Sequence, residues 1–394
     1  MSEMTATRIG VATLTAVWLV AAYALWQTEV PGDLEVHATL APFANLDLAR
    51  AERHDQVLRL LTLASIALQL VALLLFVRYR PRVRGRPVLR AAQLGGLAAV
   101  VLVLARLPVG AVALWWQRRY GIAQLDYGQW LVDQVGPLLL RIGLLAFAAA
   151  VCFWLAARFG RHWWLVALPV LVVAGAAVIL AQPLLTPRTE PAKRRDIVSQ
   201  VERLAAREGL PRPEVEIQRT SGRTRQLNAV ALGIGPTTRV ILWQTTLALP
   251  AAERAFLVAH ELGHVRQRHL WKGLAWFVLL LTPGLALLAR LAPLRTPEDV
   301  PRVLLTAFVL LTLATPVVNA LSRRYEAEAD WIGLETARNP RAAQRFFADV
   351  ASAGVRDPDP PRWWTLVFGT HPSLADRAGM ADAFSRAVRS PGGS

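Results

Sequence analysis

A single cysteine, Cys152, stands in the 394 residues. No disulfide can therefore close within the chain, and no thiolate metal cage of the finger or ribbon kind can be built. Carboxylates are scarce as well: 28 Asp and Glu face 44 Lys and Arg, leaving a formal charge of +16. Only 18% of the residues are charged and 54% are apolar, which excludes an ordinary soluble chain of two or three domains. A basic excess of this size would suit nucleic acid if it were gathered on one polar face. Here the arginines flank long apolar runs, where they meet lipid headgroups, so no nucleic-acid partner is expected.

What the chain has in quantity is uninterrupted apolar sequence. Runs near 9 to 26, 57 to 77, 91 to 115, 138 to 157, 163 to 182, 270 to 290 and 302 to 321 each approach the about 20 residues that cross roughly 30 Å of hydrocarbon. They predict seven transmembrane helices in a lipid bilayer. The first run also fits a cleaved signal peptide, with Arg8 before it and Ala22-Tyr23-Ala24 at its end, but its spanning length and the six later spans favour a retained helix. Arg106 and Pro108 interrupt the third run and predict a tilt or kink. The terminal SPGGS reads as frayed.

Composition changes after the fifth span. A Pro-rich exit, QPLLTPRTEP, leads into RRDIVSQVERLAAREG, where Ile197, Val201 and Leu204 recur at helical spacing until Gly209 and Pro211 stop the helix. Strand-like EVEIQ (214 to 218), QLNAVALGIG (226 to 235), a turn at Pro236-Thr237-Thr238 and RVILWQTTL (239 to 247) follow. Pro250 then opens a helix near Ala251. The chain divides accordingly into a five-span membrane region, 1 to 182, and a region 183 to 394 that contains the small sheet, spans six and seven, and a C-terminal helical segment.

That helix carries AFLVAHELGHVRQRH. His260 and His264 are four residues apart, on one face and about 6 Å apart along the axis, so two neutral imidazoles can share one metal ion. Glu261 stands beside the first of them, placed to take a proton from a water that the metal activates. Arg266, Arg268 and His269 read as residues of the membrane surface. Zinc requires a third protein ligand and leaves a fourth position for water. Immediately after the seventh span comes NALSRRYEAEAD, where Glu326 and Asp330 share a helical face, with Glu326 the expected ligand and Asp330 the carboxylate that fixes a histidine tautomer. Glu328 points elsewhere and is expected on a solvated face, paired with Arg323 and Arg324.

HELGH entering one span, a second span ending in NALSRRYEAEAD, the upstream LNAVALG, and THPSLADR at 370 to 377 together resemble the integral-membrane type I CAAX prenyl endopeptidases and their bacterial relatives. The resemblance covers nearly the whole chain, the seven spans included. It implies a helical polytopic membrane protein with a small α+β gluzincin-type zinc metalloprotease domain, and one zinc ion per chain bound by His260, His264 and Glu326. It also implies that Glu261 is the general base, that Asn228 and Ala229 lie on the strand lining the substrate cleft, that Arg323 and Asp330 support the site, and that His371 faces the substrate. An extended polypeptide could add itself to that strand, and His371 could donate to the oxyanion, although a His-Pro pair also serves as a loop anchor.

No residue pattern encodes recognition of an isoprenyl-cysteine, so membrane-associated or misfolded polypeptides are the expected substrates. The cell, or inner, membrane is the expected location. Its sidedness is read two ways: VRYRPRVRGRPVLR between spans two and three would put the catalytic region outside by the positive-inside rule, whereas the resemblance implies a cytoplasmic site, which is the reading adopted. The competing readings are a site-2-type intramembrane metalloprotease, disfavoured because the motif precedes its span and is followed at once by RQRH, and a non-enzymatic seven-span protein.

Overall fold

The computed structural model describes residues 3–185, 189–233 and 237–389; the turn expected at Pro236 and the SPGGS tail lie outside the described residues. Five long helices form the first part of the chain: α1 (Glu3–Trp26), α2 (Leu48–Tyr79), α3 (Pro87–Arg119), α4 (Tyr127–Phe159) and α5 (Trp163–Leu185). Local chemistry sets their starts. The Asp47 side chain accepts from Arg50 N at the head of α2, Asp126 does the same from Gln129 N for α4, and Pro87 occupies the first turn of α3.

Among the described residues, five helical stretches are long and apolar enough to cross a membrane: Leu48–Tyr79, Pro87–Arg119, Tyr127–Val178, His269–Leu291 and Pro297–Ala337. The third runs through α4, a turn at Gly160–His162 and α5, while the Ala12–Trp26 part of α1 is a shorter apolar helix. Outward-facing leucines such as Leu311, 72% exposed, and Leu313, 70% exposed, mark surfaces that lipid rather than water must cover. α3 continues through Pro108 as one helix.

The second part begins with β1 (Thr189–Pro191) and α6 (Arg195–Arg207), then β2 (Glu214–Gln218), β3 (Ala229–Leu232) and β4 (Arg239–Trp243). The sheet order is β1-β2-β4-β3, with β2 and β4 parallel and the other pairs antiparallel. Val240, Ile241 and Leu242 of β4 are fully buried, as an apolar run in a central strand requires, and β3 is left at the edge. α7 (Ala251–Arg266) and α8 (His269–Leu291) follow directly, then the 38-residue α9 (Val300–Ala337), and finally α10 (Pro340–Gly354), α11 (Arg362–Phe368) and α12 (Leu374–Arg389).

One apolar core joins α6, the sheet, α7, the end of α9, α10 and α12. Phe43, only 1% exposed, belongs to it, and Val30, Leu34, Val36 and Leu46 pack against it, so the connection between α1 and α2 is part of this core. A second core lies at the far end of the bundle, where Leu285, Ala292, Leu294 and Val300 meet α3, α4 and α5. The two ends are fixed by ion pairs: Arg59 of α2 meets Asp357 beside the first core, and Arg90 of α3 meets Glu298 at the other. The Arg-rich α2–α3 connection therefore sits at the end of the bundle opposite α7.

Candidate metal centre

α7 and α9 approach unusually closely, and two glycines allow it. A side-chain carbon at Gly333 of α9 would stand 3.2 Å from the His260 backbone nitrogen, and one at Gly263 of α7 would stand 3.2 Å from Ile332. With both positions bare, the His260/His264 face of α7 lies directly against the Glu326/Asp330 face of α9.

Three ligand groups converge there. The candidate ligand atoms of His260, His264 and Glu326 all lie within 4.8 Å of one another. The Nε2 atoms of the two histidines are 3.3 Å apart, and Glu326 carboxylate oxygens lie 3.4 and 3.6 Å from them. Two nitrogens each 2.0–2.1 Å from a tetrahedral zinc would be about 3.3 Å apart, so the set fits that ion. Oε2 of Glu326 is buried and makes no aligned hydrogen bond, although Nε2 of His260 and Nε2 of His371 lie 3.4 and 3.2 Å from it, an arrangement that a cation would satisfy.

Each imidazole is held from behind. Nδ1 of His260 lies 2.9 Å from Oδ1 of Asp330, and Arg377 grips both oxygens of that carboxylate at 2.7 Å. His264 is held differently: its Nδ1 is 2.8 Å from Nδ1 of His269, whose Nε2 is 2.8 Å from Glu328 Oε2. With Nδ1 as the protonated nitrogen in both rings, Nε2 is the free lone pair, the tautomer a ligand needs. Burial disfavours charge on His260, but the Asp330 and Glu326 carboxylates outweigh it and draw its pKa up; for His264 burial, reinforced by His260, drives it down.

Glu261 lies next to the cluster, its Oε2 accepting the Ala231 backbone N–H of β3 at 3.3 Å. Burial raises its pKa to about 7, which suits a base that must take up and release a proton near neutrality. Ala229 opens β3 with its side chain buried in the core, and the exposed Asn228 precedes it, its carbonyl accepting Trp243 N–H; the outer edge of β3 is unpaired by any strand.

His371 stands against the Glu326 carboxylate, Nε2 3.2 Å from Oε2, with Thr370 Oγ1 2.9 Å from its Nδ1. Arg323 does not reach the cluster. It donates to the carbonyls of Thr365 and Gly369 at 2.7 and 2.6 Å, and Asn319 donates to Val367 O, so α9 clamps the segment that presents His371. A cleft of about 800 Å³ opens beside it, lined by Trp26, Val30, Arg323, Arg324, Leu366 and Pro372 among others.

Two expectations are corrected. Glu328 is not on a solvated face: it is 1% exposed, pairs with His269 and Lys272, and accepts the Glu29 N–H at 2.8 Å. The end of α1 covers that side of α9, with Tyr325 donating to Leu25 O and Arg324 to Trp26 O. His269 is likewise not a surface residue; it is 8% exposed and stacked on Tyr325, ring centroids 4.6 Å apart. Arg268 explains it, because its left-handed backbone (φ 55°) breaks the helix and turns His269 back beneath His264. Arg377 was visible within THPSLADR, but nothing in that stretch tied it to Asp330.

The model of Peptidase family M48 matches residues 191–384. A protease HtpX homolog of Acidiphilium cryptum (strain JF-5) is 31% identical over 218 residues, covering 46% of this chain and 71% of the relative. The uncharacterized metalloprotease YhfN of Bacillus subtilis (strain 168) is 29% identical over 303 residues, 72% of this chain and 71% of that one. The crystal structure of S. mikatae Ste24p superposes with a TM-score of 0.75 at 17% identity, over 93% of this chain and 97% of the other, so the likeness in fold spans membrane and catalytic parts together. With its apolar helices and its His-His-Glu cluster, the chain belongs to peptidase family M48 as a membrane metalloprotease of Ste24-like fold.

Proposed function

We propose that the protein is an integral-membrane zinc endopeptidase that hydrolyses peptide bonds in membrane-associated or misfolded polypeptides. The observation that carries the reading is the convergence of His260 Nε2, His264 Nε2 and the Glu326 carboxylate next to a carboxyl group, Glu261, whose pKa is raised to about 7. One zinc ion per chain would be held by those three residues and would supply Lewis acidity to a water and to the peptide carbonyl. Glu261 takes the proton of the attacking water and returns it to the departing amine. Asp330 and Arg377 keep His260 in its ligand tautomer, and Arg323 fixes the segment that brings His371 to the substrate, where an imidazole N–H donates to the oxyanion. The edge strand β3, from Asn228 and Ala229 onward, receives an extended substrate backbone.

The bilayer is crossed seven times in this reading, α4 and α5 counting separately and α1 included, with 1 to 182 as the membrane region and 183 to 394 as the peptidase region. The membrane is the cell (inner) membrane and the site faces the cytoplasm, in keeping with Arg118, Arg119, Arg266, Arg268, Lys272, Arg323 and Arg324 at the catalytic end of the bundle. A reporter fused after Ser394 is then active in the cytoplasm; activity confined to the outside reverses the orientation.

Substrate class is tested with matched peptides, one farnesylated and one not, offered to the detergent-solubilised protein with and without a zinc chelator. Cleavage of both peptides, abolished by the chelator, is expected. Strong dependence on the farnesyl group would replace the substrate reading, and chelator-resistant cleavage would remove zinc from it.

A further inference from the structure

The segment from Arg78 to Arg90 carries six arginines and no acidic residue. Arg90 is engaged with Glu298, but among the described residues no carboxylate lies within 4.0 Å of Arg78, Arg80, Arg82, Arg84 or Arg86. Five guanidinium groups on one short connection repel one another unless an anion joins them.

Two of the five border a groove. Between α3 and α4 lies an opening of about 670 Å³ with Arg82 and Arg84 among its lining residues. Its floor is made of small residues, Ala92, Gly96 and Ala146, and its walls of Leu97, Val100 and Ile142. The floor is low because the helices touch backbone to backbone: a side chain at Gly95 would run into the Leu145 carbonyl, and one at Gly96 would meet Ile142. From Ala92 to Val100 the apolar channel extends about 12 Å along α3, away from the arginines and towards the middle of the bundle.

We propose that this groove binds one anionic phospholipid, its phosphate between Arg82 and Arg84 and an acyl chain along Gly96 and Val100. The charge selects the lipid: the lining offers two cations and no carboxylate or aromatic cage for a choline or ethanolamine headgroup. The apolar channel separates a lipid from a free phosphate, which would gain nothing from it. A lipid seat also gives the arginine cluster a role independent of membrane sidedness.

The test is native mass spectrometry of the detergent-solubilised full chain, titrated with dioleoyl phosphatidylglycerol, dioleoyl phosphatidylcholine, or inorganic phosphate. Preferential retention of one phosphatidylglycerol is expected. Removing both guanidinium groups, Arg82→Gln with Arg84→Gln, should weaken it about 30-fold, since each basic residue near a lipid phosphate is worth about fivefold. The control Arg78→Gln with Arg80→Gln keeps binding within about threefold of the parent. Val100→Trp, which fills the channel and leaves the arginines in place, also displaces the lipid. Equal retention of both lipids, equal loss in the two arginine pairs, retention in Val100→Trp, or competition by inorganic phosphate would each overturn the proposal; equal loss would mean that the cluster attracts anionic membranes without a defined seat.

Discussion

Nε2 of His269 lies 2.8 Å from Oε2 of Glu328, and Nδ1 of the same ring lies 2.8 Å from Nδ1 of His264. With Glu328 as acceptor, His269 carries its proton on Nε2 and accepts at Nδ1 from His264, which leaves Nε2 of His264 as a lone pair. Replacing His269 by Ala or Glu328 by Gln should lower zinc affinity about 10–100-fold by competition with a chromogenic chelator. The melting temperature of the metal-free protein should move far less for Glu328→Gln than for His269→Ala, which also removes the ring stacked on Tyr325. Unchanged affinity in both variants would show that His264 orients itself.

Asp330 and Arg377 form the matching support for His260, and both side chains are enclosed. Arg377→Met leaves a buried carboxylate without its cation and should destabilise by about 3–5 kcal/mol. A thermal unfolding curve in detergent indistinguishable from the parent would contradict the pairing.

Gly333 sets the distance between the two helices that carry the cluster. Gly333→Val should cost about 1–3 kcal/mol through overpacking and reduce zinc stoichiometry, because His260 is the residue displaced. A variant of parental stability and metal content would mean that the helices can separate without moving the ligands.

Glu208 is buried beyond the end of α6, and burial, only partly offset by Thr336, raises its pKa to about 8. The folded state then holds this proton more tightly than the unfolded state, whose carboxyl titrates near 4.5. Stability falls as pH rises from about 4.5 to 8, and the loss is complete above the folded value. Glu208→Gln should therefore raise the melting temperature by a few degrees at pH 8.5 and leave it nearly unchanged at pH 4.5. A gain of equal size at both pH values would contradict the linkage.

Much of the centre could be read directly from residue spacing. Four-residue intervals on a helix put His260 with His264 and Glu326 with Asp330, and helical geometry makes both pairings unavoidable once the helices exist. The helix over Ile197, Val201 and Leu204, the strand at 214 to 218 and the helix opening at Ala251 likewise coincide with α6, β2 and α7. His269 and Glu328 depart from the sequence pattern for one physical reason: each points off the face that periodicity assigns to the site. His269 returns through the left-handed turn at Arg268, and Glu328 is covered by the end of α1, some 300 residues earlier in the chain. Neither a local break in a helix nor a covering segment so distant leaves a periodic trace. Arg377 and Asn319 were missed similarly, since their partners, Asp330 and the Val367 carbonyl, come together only through the packing of α9 against α11 and α12.

The central claim is that Glu261 is the proton-transferring base of a zinc peptidase. The most direct measurement compares cleavage of an unstructured reporter polypeptide by the parent and by Glu261→Gln, with zinc content determined on the same detergent-solubilised samples. Glu261→Gln should retain about one zinc per chain and lose at least about 100-fold in turnover, the lower end of what a positioned acid–base group contributes. Parental turnover in a fully metallated Glu261→Gln protein would contradict the account.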